Sequence, residues 1–164
     1  MSSHTLPTLL AFDNGDEIIA AVGAVAEQSF FSFVDPLAEP DVTPRSWLMS
    51  AVRFTDGQLS GSVVCWMPAE LSQALFDAFI GRDPAEPRAQ TQQIEDLVGE
   101  FANMVCGDWL TRCLGHRAFR LSSPLVLRVP KPAANPPRRQ WVKVGDRPLA
   151  IDWDIVEVPG RAGK

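Results

Sequence analysis

The longest segment in which polar and apolar residues separate at helical period runs from Gln90 to Cys113, and any fold for this chain must accommodate it. Wound at roughly 100° per residue, it sets Ile94, Leu97, Val98, Phe101, Met104 and Val105 on one broad face. Gln92, Asp96, Gly99, Glu100, Asn103 and Gly107 form a narrow opposite stripe. The broad face predicts burial against a core. The stripe is unlike an ordinary solvated surface, because it has no Lys or Arg, centres on an asparagine and carries two glycines. Each glycine costs a helix up to about 1 kcal/mol against alanine, so the stripe suits close approach by another surface.

The remaining chain supplies elements to pack against this helix. Asn14-Gly15-Asp16 reads as a turn and cap leading into a helix over Glu17 to Phe33, with Ile18, Ile19, Val22, Val25, Ala26 and Phe30 at helical spacing. The cluster Phe30, Phe31 and Phe33 is read most simply as core at the helix end, with a partner surface as the alternative. Asp35 to Arg45 holds three prolines and reads as a loop. Trp47 to Phe54 and Gln58 to Trp66 flank Asp56-Gly57, a pair suited to a tight hairpin turn because glycine accepts positive φ. Pro68 suits the first turn of a second amphipathic helix that Gly81 ends. After the main helix, Ala118 to Val129 reads as a strand with Pro124 at an irregularity, and Trp141 to Val144 with Leu149 to Val158 as a closing hairpin about Gly145 to Pro148. The order predicts an α+β domain, a mainly antiparallel sheet with helices packed on one face and the other face a site for burial through dimerisation. The run Trp141, Val142, Val144, Ile151, Trp153, Ile155 and Val156 motivates that homodimer.

Composition excludes several function classes. The chain has 164 residues, 46% hydrophobic and 21% charged, enough for one domain with a sizeable core. Residues 14–158 are expected to form it, with 1–13 a flexible leader and 159–164 a frayed tail. A net charge of −5, with Lys131, Arg138 and Arg139 the only basic concentration, argues against nucleic acid as a partner. Cys65, Cys106 and Cys113 make no Cys-x-x-Cys, and with His4 and His116 they build neither a metal-ligand cluster nor a nucleophile pair. No run of 18 apolar residues and no signal-like start occur, so no membrane association is expected and the protein is placed in the cytoplasm.

Glu100 and Asn103, three residues apart, project side by side, with Asp96 one turn earlier. Such a pair also occurs by chance on exposed helices. Here it lies within Val98-Gly-Glu-Phe-Ala-Asn-Met-Val-Cys-Gly107, as Asp96-x-x-x-Glu100-x-x-Asn103 followed after 20 residues by Pro124. The block resembles the CheC/CheX/FliY family of chemotaxis phosphatases, most closely the single-site CheX type, and the likeness spans Asp16 to Val129. No second Glu-x-x-Asn appears, since Glu17 is followed three residues on by Ala20 and Glu27 by Phe30.

The resemblance implies a CheX-like fold and, as partner, a phosphorylated receiver domain of the CheY type, whose aspartyl phosphate sits beside Mg²⁺. The Mg²⁺ would belong to the receiver, with no cofactor of this chain's own. Asn103 would orient the attacking water and Glu100 would anchor the receiver's lysine, making these two the catalytic residues. Asp96, Gly99 and Gly107 would be partner-binding, the acid by charge and the glycines by allowing close approach. The alternative from another class is a non-catalytic receiver-binding or flagellar-switch interaction domain.

Overall fold

A computed structural model of the chain describes residues 15–43, 45–83 and 85–160. The predicted leader, Asn14 of the predicted cap, Pro44 and Pro84 of the connecting loops, and residues 161–164 of the predicted tail lie outside the described residues. In chain order the elements are α1 (Asp16–Phe30), β1 (Val34–Pro36), β2 (Trp47–Thr55), β3 (Leu59–Pro68), α2 (Ala69–Ile80), α3 (Thr91–Leu114), β4 (Arg120–Leu121), β5 (Leu125–Val129), β6 (Arg139–Val144) and β7 (Arg147–Glu157). The strands form one antiparallel sheet in the order β1-β6-β7-β3-β2-β4, with β5 pairing along the same edge of β2 as β4. This is the predicted architecture.

The helices cover one face. Leu48, Val52, Phe54, Val63, Cys65, Met67, Ile151, Trp153 and Ile155 point from the sheet into a single core with Ile18, Val22, Phe30, Leu71, Leu75 and the inner side of α3. Alternate residues of the same strands build a smaller cluster on the far face, Trp47, Trp66, Trp141 and Ala150, which Leu37 and Val42 of the loop after β1 help to cover. Arg139 lies over the Trp66 and Trp141 rings at 5.7 and 5.9 Å and makes a bidentate pair with Asp152, at 2.6 and 2.7 Å, which also accepts from the Trp66 indole N–H.

Local chemistry explains the boundaries. The Asp56 carboxylate accepts from the N–H groups of Gln58 and Leu59 while Gly57 takes φ 90°, closing the β2–β3 hairpin, and Arg117 after α3 pairs with the same carboxylate. Pro68, expected in the first turn of α2, stands just before it as the N-cap at the end of β3, while Gly81, at φ 64°, ends the helix as predicted. Burial pushes the thiol of Cys106 up to about 12 and that of Cys113 to about 11, so both stay protonated, in keeping with a packing role.

Several expectations need correction. Helix α1 stops at Phe30 rather than Phe33, and Phe31 and Phe33 are 79% and 77% exposed, so only Phe30 of that cluster is core. A short strand, β1, occupies the start of the predicted proline loop, because Val34 to Pro36 pairs with β6 along the sheet edge where Pro36 is tolerated. The strand predicted over 118–129 is broken into β4 and β5. At the break Ser122 substitutes for the ladder, donating its N–H to Arg53 O and accepting from the Arg53 N–H through Oγ. The β6–β7 turn is shortened to Gly145 and Asp146, with Pro148 inside β7. Of the residues offered for a homodimer face, Val142, Val144, Ile151, Trp153 and Ile155 point into the chain's own core and Trp141 into the tryptophan cluster, leaving Val156 exposed. They therefore provide no free apolar face for a second copy.

Gly61, on β3, has the least space for a side chain of the described glycines. A Cβ there would lie 2.1 Å from the carbonyl oxygen of Asp154 on β7 and 2.6 Å from the Phe54 ring. Backbone cannot yield as a side-chain tip can, so Gly61→Ala is expected to destabilise the fold by about 3 kcal/mol or more. A denaturant midpoint close to that of the parent would show that β3 and β7 separate more easily than this packing implies.

Candidate active site on helix α3

The capping box that starts α3 is built from glutamines. The Gln90 side chain accepts from the N–H of Gln93, and the Gln93 side chain accepts from the N–H of Gln90 at 2.9 Å. From there the helix crosses the sheet for 24 residues. Ile94, Leu97, Val98, Phe101 and Val105 are buried as predicted, and Ala102, Cys106, Trp109, Leu110 and Leu114 widen the buried side. Met104 is half-buried, beside Ser29 of α1.

The stripe opposite this face divides into two parts. Asp96 and Glu100 are exposed, Asn103 and Gly107 are half-buried, and Gly99 is buried. The close approach that Gly99 permits is intramolecular. A Cβ at this position would lie 3.1 and 3.3 Å from Cβ and Cγ of Pro124 and 3.3 Å from a methyl of Val126. Gly99 is thus covered by the β4–β5 crossing and is not presented to a partner, which corrects that part of the predicted partner-binding set. The same contact brings Pro124 against the turn of α3 that precedes Asn103. At Gly107 nothing lies within 4 Å of where a Cβ would point, so that glycine leaves open space on the outer surface.

The carboxylates of α3 differ in their partners. Glu95 lies 3.8 Å from Arg128 of β5, Asp96 accepts from Gln92 Nε2 at 2.8 Å, and Asp108 pairs with Arg112 one turn on. Glu100 is exposed and has no such partner among the described residues. It is therefore the negative charge on this helix most available to an incoming cation. Asn103, one turn further, carries a carboxamide whose oxygen is buried and accepts no hydrogen bond from any described residue. Most buried polar atoms are paired, and an unpaired one costs about 1–3 kcal/mol. Among the described residues no group of three His, Cys, Asp or Glu side chains is placed to hold a metal, and no helix is long and apolar enough to cross a membrane.

A family model described as chemotaxis phosphatase CheX matches residues 49–141, from β2 through α3 into β6. The chain belongs to the CheX family of chemotaxis phosphatases. The match contains Asp96, Glu100, Asn103 and Pro124. No curated protein matches the sequence. Among solved structures, the fold is similar to the chemotaxis protein CheX from Vibrio vulnificus, with a TM-score of 0.69 at 16% identity over 86% of this chain and 95% of that one. It is also similar to CheX from Borrelia burgdorferi, solved as a CheX–CheY–BeF₃–Mg²⁺ complex, with a TM-score of 0.62 at 12% identity over 85% of this chain and 96% of that one. Thermotoga maritima FliY aligns with a TM-score of 0.59 at 14% identity over 94% and 92%. Identities this low speak for a shared fold alone.

The unpaired carboxamide makes a stability prediction. Asn103→Ala removes a buried orphan acceptor and installs a better helix former, so it is expected to raise stability by about 1 kcal/mol. Denaturant unfolding of the two proteins checks this. A loss of stability on substitution would mean that the Asn103 oxygen is paired in solution.

Proposed function

We propose that this CheX-family protein hydrolyses the aspartyl phosphate of a CheY-type receiver domain in the cytoplasm, in chemotaxis or a related two-component circuit. The observation that carries the reading is the pairing, within the matched family segment, of an exposed carboxylate, Glu100, with a carboxamide one turn away, Asn103, whose oxygen is buried, neither having a partner among the described residues. The CheX of similar fold from Borrelia burgdorferi, solved with CheY, BeF₃ and Mg²⁺, supports a receiver as the partner.

An acyl phosphate needs no covalent intermediate on the phosphatase. Water attacks phosphorus in line, the aspartyl oxygen leaves with the bonding electrons, and inorganic phosphate is released. The Mg²⁺ is the receiver's own and supplies charge neutralisation there. What the second protein adds is orientation, and a carboxamide suits that task because it can accept from and donate to one water while bringing no charge against the phosphoryl oxygens. In the free protein the Asn103 oxygen is shielded, so the side chain turns outward as the receiver docks. Glu100 pairs with the receiver's lysine and fixes the helix over the phosphate, with Asp96 adding charge of the same sign. Gly107 leaves room for the receiver backbone.

Measuring phosphate loss from phosphorylated receivers with and without the protein tests this reading, and loss at the intrinsic rate throughout would refute it. Binding without faster loss would select the non-catalytic receiver-binding or flagellar-switch role. Within the active pair, Glu100→Lys is expected to weaken the complex far more than Glu100→Gln, since it replaces attraction by repulsion at close range. Both variants should fold, because the side chain is exposed. Equal affinities at low salt would show that no cation faces Glu100.

A further inference from the structure

Phe31 combines two unfavourable features. It caps α1 in the left-handed region, at φ 53° and ψ 33°, where a bulky aromatic residue is a rare outlier and glycine is the usual occupant, and its ring is 79% exposed. Phe33, Phe79 and Ile80 are exposed as well. These four side chains belong to the ends of α1 and α2, which meet where the Phe30 ring lies 5.8 Å from that of Phe79. On its other side the Phe30 ring lies 5.7 Å from that of Phe101, the residue after Glu100. Phe30 and Phe101 are both buried, so this contact runs beneath the surface, and it places the end of α1 that bears Phe31 and Phe33 beside the turn of α3 that carries Glu100. The other large exposed apolar side chains on strands, Leu125, Leu127 and Val156, do not share this side. Leu125 and Leu127 alternate with Val126, whose methyl packs on Gly99, and so project from the far face of the sheet, while Val156 alternates with the core residue Ile155.

We infer that Phe31, Phe33, Phe79 and Ile80 form the apolar half of the surface on which the phosphorylated receiver docks, beside the acidic half made by Asp96 and Glu100. The inference rests on the proposed function and assigns the binding energy that reading lacks. A specific interface buries about 800 Å² on each partner and takes most of its energy from a few large anchors, commonly aromatic. The exposed stripe of α3, two carboxylates with an asparagine and a glycine, supplies orientation and charge but no such anchor. The neighbouring helix ends supply three phenylalanines. Their arrangement fits a partner that brings a cation to Glu100 and an apolar surface next to it. The backbone strain at Phe31 is the cost of holding one ring outward, as expected where a residue serves a contact rather than the fold.

The test is Phe31→Gly and, separately, Phe33→Ser, each titrated with a receiver activated by beryllofluoride and Mg²⁺ and assayed for phosphate release. Glycine relieves the positive φ, so Phe31→Gly should melt at or above the parent temperature. Both variants should weaken receiver binding and raise KM by about tenfold, the effect of losing one good anchor, while kcat at saturating receiver stays within about twofold. Unchanged affinity in the well-folded variants would overturn the inference. So would a fall in kcat at constant KM, or a finding by light scattering that the parent self-associates through this patch and the variants do not. Because binding is measured with a non-hydrolysable mimic, absence of catalysis in the parent would sink the proposed function and leave this test intact.

Discussion

The contact between Gly99 and Pro124 is the constraint on which the site depends. Helix α3 is held to the sheet by a broad apolar side, but that side alone fixes neither its rotation nor the placement of the strands at its flank. The absence of a side chain at Gly99 lets the β4–β5 crossing close to within ordinary carbon contact of the helix. Proline suits the crossing because the ladder is already interrupted there, with Ser122 supplying the hydrogen bonds to Arg53. Ser122 joins the break to β2, and Arg128, two residues beyond Val126, reaches Glu95. The result is a helix clamped on one flank by β5 and on the other by α1, with Asp96 and Glu100 exposed at mid-helix and Asn103 and Gly107 half-buried beside them.

The site and the helix end next to it hold features that the fold alone does not explain. Among the described residues the buried Asn103 oxygen has no partner, the exposed Glu100 carboxylate pairs with no cation, and Phe31 holds an aromatic ring in a conformation that favours glycine. Three carboxylates elsewhere are paired: Asp56 by two backbone N–H groups and Arg117, Asp77 by Arg82 and Gln73, Asp152 by Arg139 and Trp66. The Arg82 hydrogen bond holds the Asp77 carboxyl below the usual range despite the opposing effect of its burial. Trp47 Nε1, Ser50 Oγ and Trp141 Nε1 are also buried without a partner among the described residues, so what distinguishes Asn103 is its place one turn from Glu100, where a second molecule can reach it.

The sequence made the order of elements legible because each boundary is written in local chemistry: Asp56-Gly57 for a hairpin, Pro68 and Gly81 for the ends of a helix, a 3.6-residue period for α3. The pair Glu100 and Asn103 was equally visible, since helical spacing alone puts them side by side. What could not be read locally depended on pairing at a distance. Val34 to Pro36 looks like loop until β6 lies beside it, and the run 118–129 looks continuous until β2 shows where its ladder breaks. Gly99 advertised a close approach, but a sequence does not say whether the approaching group is a partner or Pro124 of the same chain. Phe31 and Phe33 differ from Phe30 only in lying beyond the helix end, a boundary set by a left-handed residue that no glycine announced. The last strands illustrate the converse, because most of their apolar residues are buried in the helix-side core or the tryptophan cluster, so their apolar runs record burial within the chain.

The central claim is that Asn103 acts on the receiver's phosphate by orienting water, and single-turnover phosphate loss from a phosphorylated receiver saturated with the Asn103→Ala protein tests it most directly. Positioning of this kind can be worth several kcal/mol of barrier, so the account predicts a return to nearly the receiver's intrinsic rate while the receiver still binds and the protein stays folded. Phosphate loss at the parent rate, from a variant shown to be folded and bound, would contradict it.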